Sequence, residues 1–163
     1  MTDWREVEAE VALRRQDWPK ALKLAKQMLS DDPLNTGGLF IYGVAAGASG
    51  DLGEARKALG QVLEAQPGHH DAWFNLGNAH VGRGEHEAAV ACYRAALAAD
   101  PDNHPVYFHL GLALEHLGRA QEALAAYREA LRGSPNPGGA WGYRGMDFTA
   151  AAEKAIERLS AAR

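Results

Sequence analysis

The sequence predicts an all-α solenoid of helix-turn-helix repeats, and three observations predict it. Pro33, Pro67, Pro101 and Pro135 follow one another at a constant step of 34 residues. Two glycine series, Gly43, Gly77 and Gly111 and then Gly50, Gly84 and Gly118, keep that step. So do Ala55, Ala89 and Ala123, with Ala21 extending the series towards the amino terminus. A fixed period of this length marks stacked helix pairs, each unable to bury its apolar face alone, rather than one globular core.

Each element follows from the residues at its place in the period. Residues 1–35 read as a divergent first copy. Asp17-Trp18-Pro19-Lys20-Ala21 fits a second-helix start in the register set by Pro33, but Trp4, Val7 and Val11 fit the first-helix pattern only when shifted by one residue. A one-residue insertion near the Arg14-Arg15-Gln16 turn is therefore expected. Residues 36–69, 70–103 and 104–137 are clear copies. In each, the first-helix glycine is expected to face the second-helix alanine, so that the two helices approach closely. Gly50, Gly84 and Gly118 should supply the left-handed backbone that ends the first helix, and Asp100-Pro101 and its equivalents should stop the second, because Pro lacks the N–H a helix needs. Residues 138–163 begin a partial repeat after the turn-rich Ser134-Pro135-Asn136-Pro137-Gly138-Gly139. Trp141 and Gly145 keep their places there, but Arg144 stands where Leu belongs. The tail carries Phe148, Ala152, Ile156 and Leu159 at helical spacing with charges opposite, as a helix capping the last repeat would.

The unit from His70 to Asn103 reads Trp73-x-x-Leu76-Gly77-x-x-His80, then Ala89-x-x-x-Tyr93, then Pro101. This resembles the tetratricopeptide repeat (TPR) pattern almost position for position, with His80 standing where the family usually has Tyr. Tyr107, Leu110, Gly111, Leu114, Ala123, Tyr127, Ala130 and Pro135 repeat it, as do Leu39, Tyr42, Gly43, Ala46, Ala55, Leu59 and Pro67. The resemblance implies a right-handed superhelix whose first helices line a concave face.

Composition excludes several function classes. The chain of 163 residues has a formal net charge of −4, which provides no basic field for nucleic acid or an anionic membrane. No apolar run approaches the roughly 20 residues a membrane span needs, and the charged start lacks the apolar core of a signal peptide, so a cytoplasmic location is expected. The single cysteine, Cys92, excludes an internal disulfide and reads as a packing residue of a second helix. His109 and His116 lie about 10.5 Å apart along a helix, too far to share an ion bound at about 2 Å, and the adjacent His69 and His70 diverge. No phosphate loop, nucleophile elbow or paired-carboxylate motif occurs. No catalytic residue, metal site or cofactor is expected, and the chain should not be an enzyme.

The family resemblance directs attention to the concave face. Carried over position by position, the fifth residue of each repeat gives Phe40, Phe74 and Phe108, the sixth Ile41, Asn75 and His109, and the ninth Val44, Asn78 and Leu112. This implies an aromatic ladder in a mixed apolar and polar groove, although an aromatic at the fifth position also packs between neighbouring helices in such proteins. TPR domains that grip acidic chaperone tails use Lys, Asn and Arg at these places. Asn75 matches one, but Phe40 and Val44 replace the first pair and Pro105 and His109 the last, leaving little to hold two carboxylates. The expected function is a noncatalytic adaptor that binds a protein segment with apolar anchors through Phe40, Val44, Phe74, Asn75, Asn78, Phe108, His109 and Leu112. Two other classes fit the sequence: an export chaperone resembling those of type III secretion translocators, and a scaffold that self-assembles through its terminal helices.

Overall fold

A computed structural model describes residues 3–132 and 148–162. Among them there are nine α-helices and no strand: α1 (Trp4–Arg14), α2 (Trp18–Asp31), α3 (Thr36–Ala48), α4 (Leu52–Ala65), α5 (His70–Gly82), α6 (His86–Ala99), α7 (His104–His116), α8 (Ala120–Arg132) and α9 (Phe148–Ala161). Each of α1 to α8 packs on its chain neighbours, and first helices also touch across the pairs, α1 on α3 and α3 on α5. This is the solenoid the period predicts.

The turns between paired helices are nearly identical. Gly50, Gly84 and Gly118 have φ of +92°, +75° and +71°, the left-handed region where only glycine is unstrained. The next residue in each case, Asp51, Glu85 and Arg119, donates its N–H back to Ala46, His80 and Leu114 across 2.9 Å, closing a Schellman turn. Gln16 occupies the same place in the first pair with φ +59°, and Asp17 donates to Ala12 across the same 2.9 Å.

That geometry corrects the expected insertion. First helices end at Arg14, Ala48, Gly82 and His116, and second helices begin at Trp18, Leu52, His86 and Ala120, both series at a step of 34 residues. The first copy is in register. Trp4, Val7 and Val11 are 64%, 50% and 38% exposed, while Ala9, Ala12 and Leu13 take the buried positions. The pattern misleads because residue sizes are exchanged. Where the other pairs set Gly43, Gly77 and Gly111 against Leu59, Tyr93 and Tyr127, the first has Ala9 and Ala25 at the equivalent places, both fully buried.

The partner of the first-helix glycine is a second correction. A Cβ built on Gly77 would stand 2.6 Å from Cε1 of Tyr93, and one on Gly111 2.6 Å from Cε1 of Tyr127. The glycine makes room for a ring, not for the methyl of Ala89 or Ala123, because the helix crossing carries the larger side chain over it. Ala21, Ala55, Ala89 and Ala123 are nonetheless buried to 1% exposure or less.

Gln16→Gly should therefore stabilise the fold. The left-handed backbone costs a residue with a side chain about 1–2 kcal/mol, and the extra freedom of glycine in the unfolded chain returns about 0.5–1 kcal/mol of that. A net gain of about 0.5–1 kcal/mol should appear as a higher urea midpoint. A lowered midpoint would show that the Gln16 side chain stabilises the turn by more than its backbone strain.

At the carboxyl end, α9 lies on α8 and α7. Ala152 and Ala155 are buried and Ile156 and Leu159 partly buried in the cluster that includes Phe108 and Tyr127. The helix closes the stack at its carboxyl end. The expected partial repeat, with Trp141, Arg144 and Gly145, and the run Ser134–Gly139 lie outside the described residues.

Candidate functional site

The concave site is built by α1, α3, α5 and α7. A cavity of about 340 Å³ opens between them and the starts of α2 and α4, and it brings together five of the eight residues expected to bind: Val44, Phe74, Asn75, Asn78 and His109. Phe40, Phe108 and Leu112 lie outside its lining.

Burial assigns these residues different work. Phe74 is 2% exposed and forms the back wall, with its ring 5.7 Å from Tyr93 and edge-on to His109 at 5.3 Å. Phe40 is buried against the His69 ring at 4.8 Å. Phe108 is half-buried between Tyr127 and Phe148, each 5.7 Å away. The three rings are thus interleaved with neighbouring aromatics along the helix row instead of standing open as rungs. Leu112 is 38% exposed.

The polar groups are held by the fold. Asn78 accepts a hydrogen bond from the Tyr93 hydroxyl across 2.8 Å, which assigns its carbonyl inward and leaves its amide N–H groups for the cavity. Asn75 donates to the Asp71 carbonyl one turn earlier, also at 2.8 Å, leaving its own side-chain carbonyl as an acceptor. Together they present a donor and an acceptor. Burial pushes the His109 imidazole down to about 4, so it is neutral at pH 7. Among the described residues, no Lys, Arg, Asp or Glu lines the cavity.

Sequence reasoning missed part of the wall. Leu13, Gln16, Trp18, Gly47, Ala48 and Leu52 contribute to it. Gly47 and Ala48 hold the twelfth and thirteenth positions of their repeat, which the family pattern also directs inward, and Leu13 holds the twelfth of the first.

His80 departs from the family pattern with a local partner. Its Nδ1 lies 2.5 Å from Glu85 Oε2, and Arg83 and His80 together hold the Glu85 carboxyl down to about 2. This pair braces the α5–α6 turn and takes no part in the cavity lining.

A profile of the tetratricopeptide repeat family matches residues 43–104 and 75–137, more than half of the chain. The chain belongs to the tetratricopeptide repeat family. TPR domains are protein–protein interaction modules, and that is the general role the fold supports. Solved structures agree on the fold. MamA from AMB-1 is similar with a TM-score of 0.77 at 22% identity, covering 98% of this chain and 80% of its own. A thermophilic TPR protein of Thermus thermophilus, TTC0263, gives a TM-score of 0.74 at 22% identity, covering 94% of this chain and 80% of its own. The O-GlcNAc transferase of Thermobaculum terrenum gives 0.75 at 24% identity over 81% of this chain, but only 27% of the transferase is covered. No curated protein sequence matches this TPR chain. None of its described helices is long and apolar enough to cross a membrane.

Proposed function

We propose that this TPR domain is a noncatalytic adaptor that holds an uncharged, apolar-anchored segment of a partner protein in the cavity between α1, α3, α5 and α7. The observation that carries the reading is the cavity's lining, a concave apolar wall without a formal charge, in which Asn75 and Asn78 offer one acceptor and one donor. Concave, mostly apolar pockets with a few fixed polar groups are the usual form of binding sites. A side chain of the segment fills the space beside Val44 and Phe74, and its peptide groups pair with the two amides. A segment ending in carboxylates would leave them unpaired there, at a cost of several kcal/mol.

The test keeps the core intact. Ala48 stands at the rim of the cavity and is exposed, so Ala48→Trp fills the mouth without displacing buried atoms. Peptides selected on the parent protein from a displayed random library should be uncharged and apolar, and Ala48→Trp should weaken them at least about tenfold, or 1.4 kcal/mol. Circular dichroism checks that the variant is folded. Selected peptides that bind Ala48→Trp as tightly as the parent would place the binding surface elsewhere and overturn the proposal.

A further inference from the structure

We propose that His69 makes the concave cavity acid-sensitive: its neutral imidazole caps α5, and protonation of the ring uncaps the turn that orients Asn75. The repeat itself supplies the comparison. Asn35, His69 and Asn103 immediately precede α3, α5 and α7 at a step of 34 residues, so histidine stands where both neighbouring repeats have an amide. At α3 the Asn35 carbonyl accepts the Gly38 N–H across 2.7 Å, and at α5 His69 Nδ1 accepts the Ala72 N–H across 3.2 Å. Asn103 turns to Asp100 instead. Of the two side chains that cap, the amide cannot titrate near neutral pH and the imidazole can.

An imidazole accepts at Nδ1 only while that nitrogen is bare, which assigns the proton of the neutral ring to Nε2. Protonation sets a second N–H against that of Ala72 and a positive charge at the positive end of the helix, leaving Ala72 to the His69 carbonyl at 3.1 Å. The surroundings resist the charge as well. Phe40 of α3 lies against the ring with centroids 4.8 Å apart, and burial holds the imidazole below its ordinary 6.5. Among the described residues, the titratable groups that bear on it are Asp71, which favours the charged ring, and His70, which opposes it. Both belong to α5. The neighbours from α3 and from the end of α4 are uncharged, Phe40 and Gln66, and Asp100 after α6 acts on Asp71. Burial raises the Asp71 carboxyl above its usual range, so it is a weak counterweight.

The first turn of α5 leads into the cavity. Asn75 donates its amide to the Asp71 carbonyl at 2.8 Å, and Asp71 lies inside the turn that the cap closes. Uncapping therefore frees the group that fixes Asn75 beside Phe74 in the wall. Because the folded ring takes up its proton less readily than the unfolded chain does, the stability it contributes is complete above 6.5 and is lost as pH falls from there towards the folded value. His109, held down to about 4, acts in the same direction and is common to every variant below.

NMR titration of the whole chain should place the His69 ring below 6.5, with the side-chain amide resonances of Asn75 shifting at the same midpoint. Between about pH 7.5 and pH 5, the urea midpoint of the parent should fall more steeply than that of His69→Asn, which installs the cap of α3, or of His69→Ser, a second cap that does not titrate. The lost Phe40 contact is a constant offset and leaves that slope unchanged. Uncharged peptides selected on the parent at neutral pH should lose about fivefold more affinity on acidification with the parent than with His69→Asn, the typical worth of a cap. This last arm rests on the proposed binding role of the cavity. Peptides that bind at no pH would sink that role, while the ring titration, the Asn75 resonances and the unfolding slopes still decide the cap. A His69 ring titrating at or above 6.5, Asn75 resonances that do not follow it, equal slopes in the parent and both variants, or equal losses of peptide affinity would each overturn the proposal.

Discussion

Phe74→Ala is expected to cost about 3–5 kcal/mol of stability, the range for truncating a buried phenylalanine. The ring is 2% exposed and contacts both Tyr93 and His109, so its removal leaves a void where the α5–α6 pair meets α7. Total stabilities of domains are about 5–15 kcal/mol, and the variant should lose a large fraction of its helical signal at temperatures where the parent is folded. Urea unfolding followed by circular dichroism measures the difference. A loss under about 1 kcal/mol, together with weakened peptide binding, would show that the ring serves mainly as a contact for the partner. The expected outcome also rules out this residue as a clean probe of the cavity, since lost binding would follow from lost structure.

Ending the chain at Gly145, which removes α9, is the second change with a large expected effect. The helix buries Ala152 and Ala155 and partly buries Ile156 and Leu159, and Phe148 lies on the Phe108 ring at 5.7 Å. It also supplies Arg158, which pairs with Glu115 beside the Tyr127 hydroxyl. At about 1.5–3 kcal/mol for a fully buried large apolar side chain, and less for these partly buried ones, the loss is on the order of 3–5 kcal/mol. The apolar edge of α7 and α8 then faces water, and aggregation should follow. Thermal melting with light scattering tests both parts. A monomeric truncation that melts with the parent would show that α9 is dispensable and that α8 closes the stack alone.

The legible part of this protein is the part set by local chemistry. The left-handed glycine turns at a 34-residue step, the ends of the first helices and the starts of the second could be read from glycine and proline, because a Schellman turn and a helix stop depend on the residues within them. The divergent first copy was legible as a repeat but not in its register. Large residues are the expected core there, but the exchange of Gly and Tyr for Ala9 and Ala25 puts small ones inside and leaves Trp4 exposed. A binary pattern of apolar and polar residues does not distinguish a core alanine from a surface one.

Of the candidate site, the sequence by itself determined which helix faces turn inward, since that follows from position within the repeat. Val44, Asn75, Asn78 and His109 do meet at one cavity with Phe74 behind them. What only the tertiary structure decided is how deep each side chain lies and what it touches. The crossing of α5 and α6 carries Tyr93 over Gly77 and ties its hydroxyl to Asn78, and the stacking of the next pair on α5 brings His109 onto Phe74. Those contacts join residues from separate helices, so they depend on crossing angles and side-chain volumes summed over the whole stack. No spacing along the chain encodes them, which is why the aromatic positions could be read from the repeat while their role as walls could not.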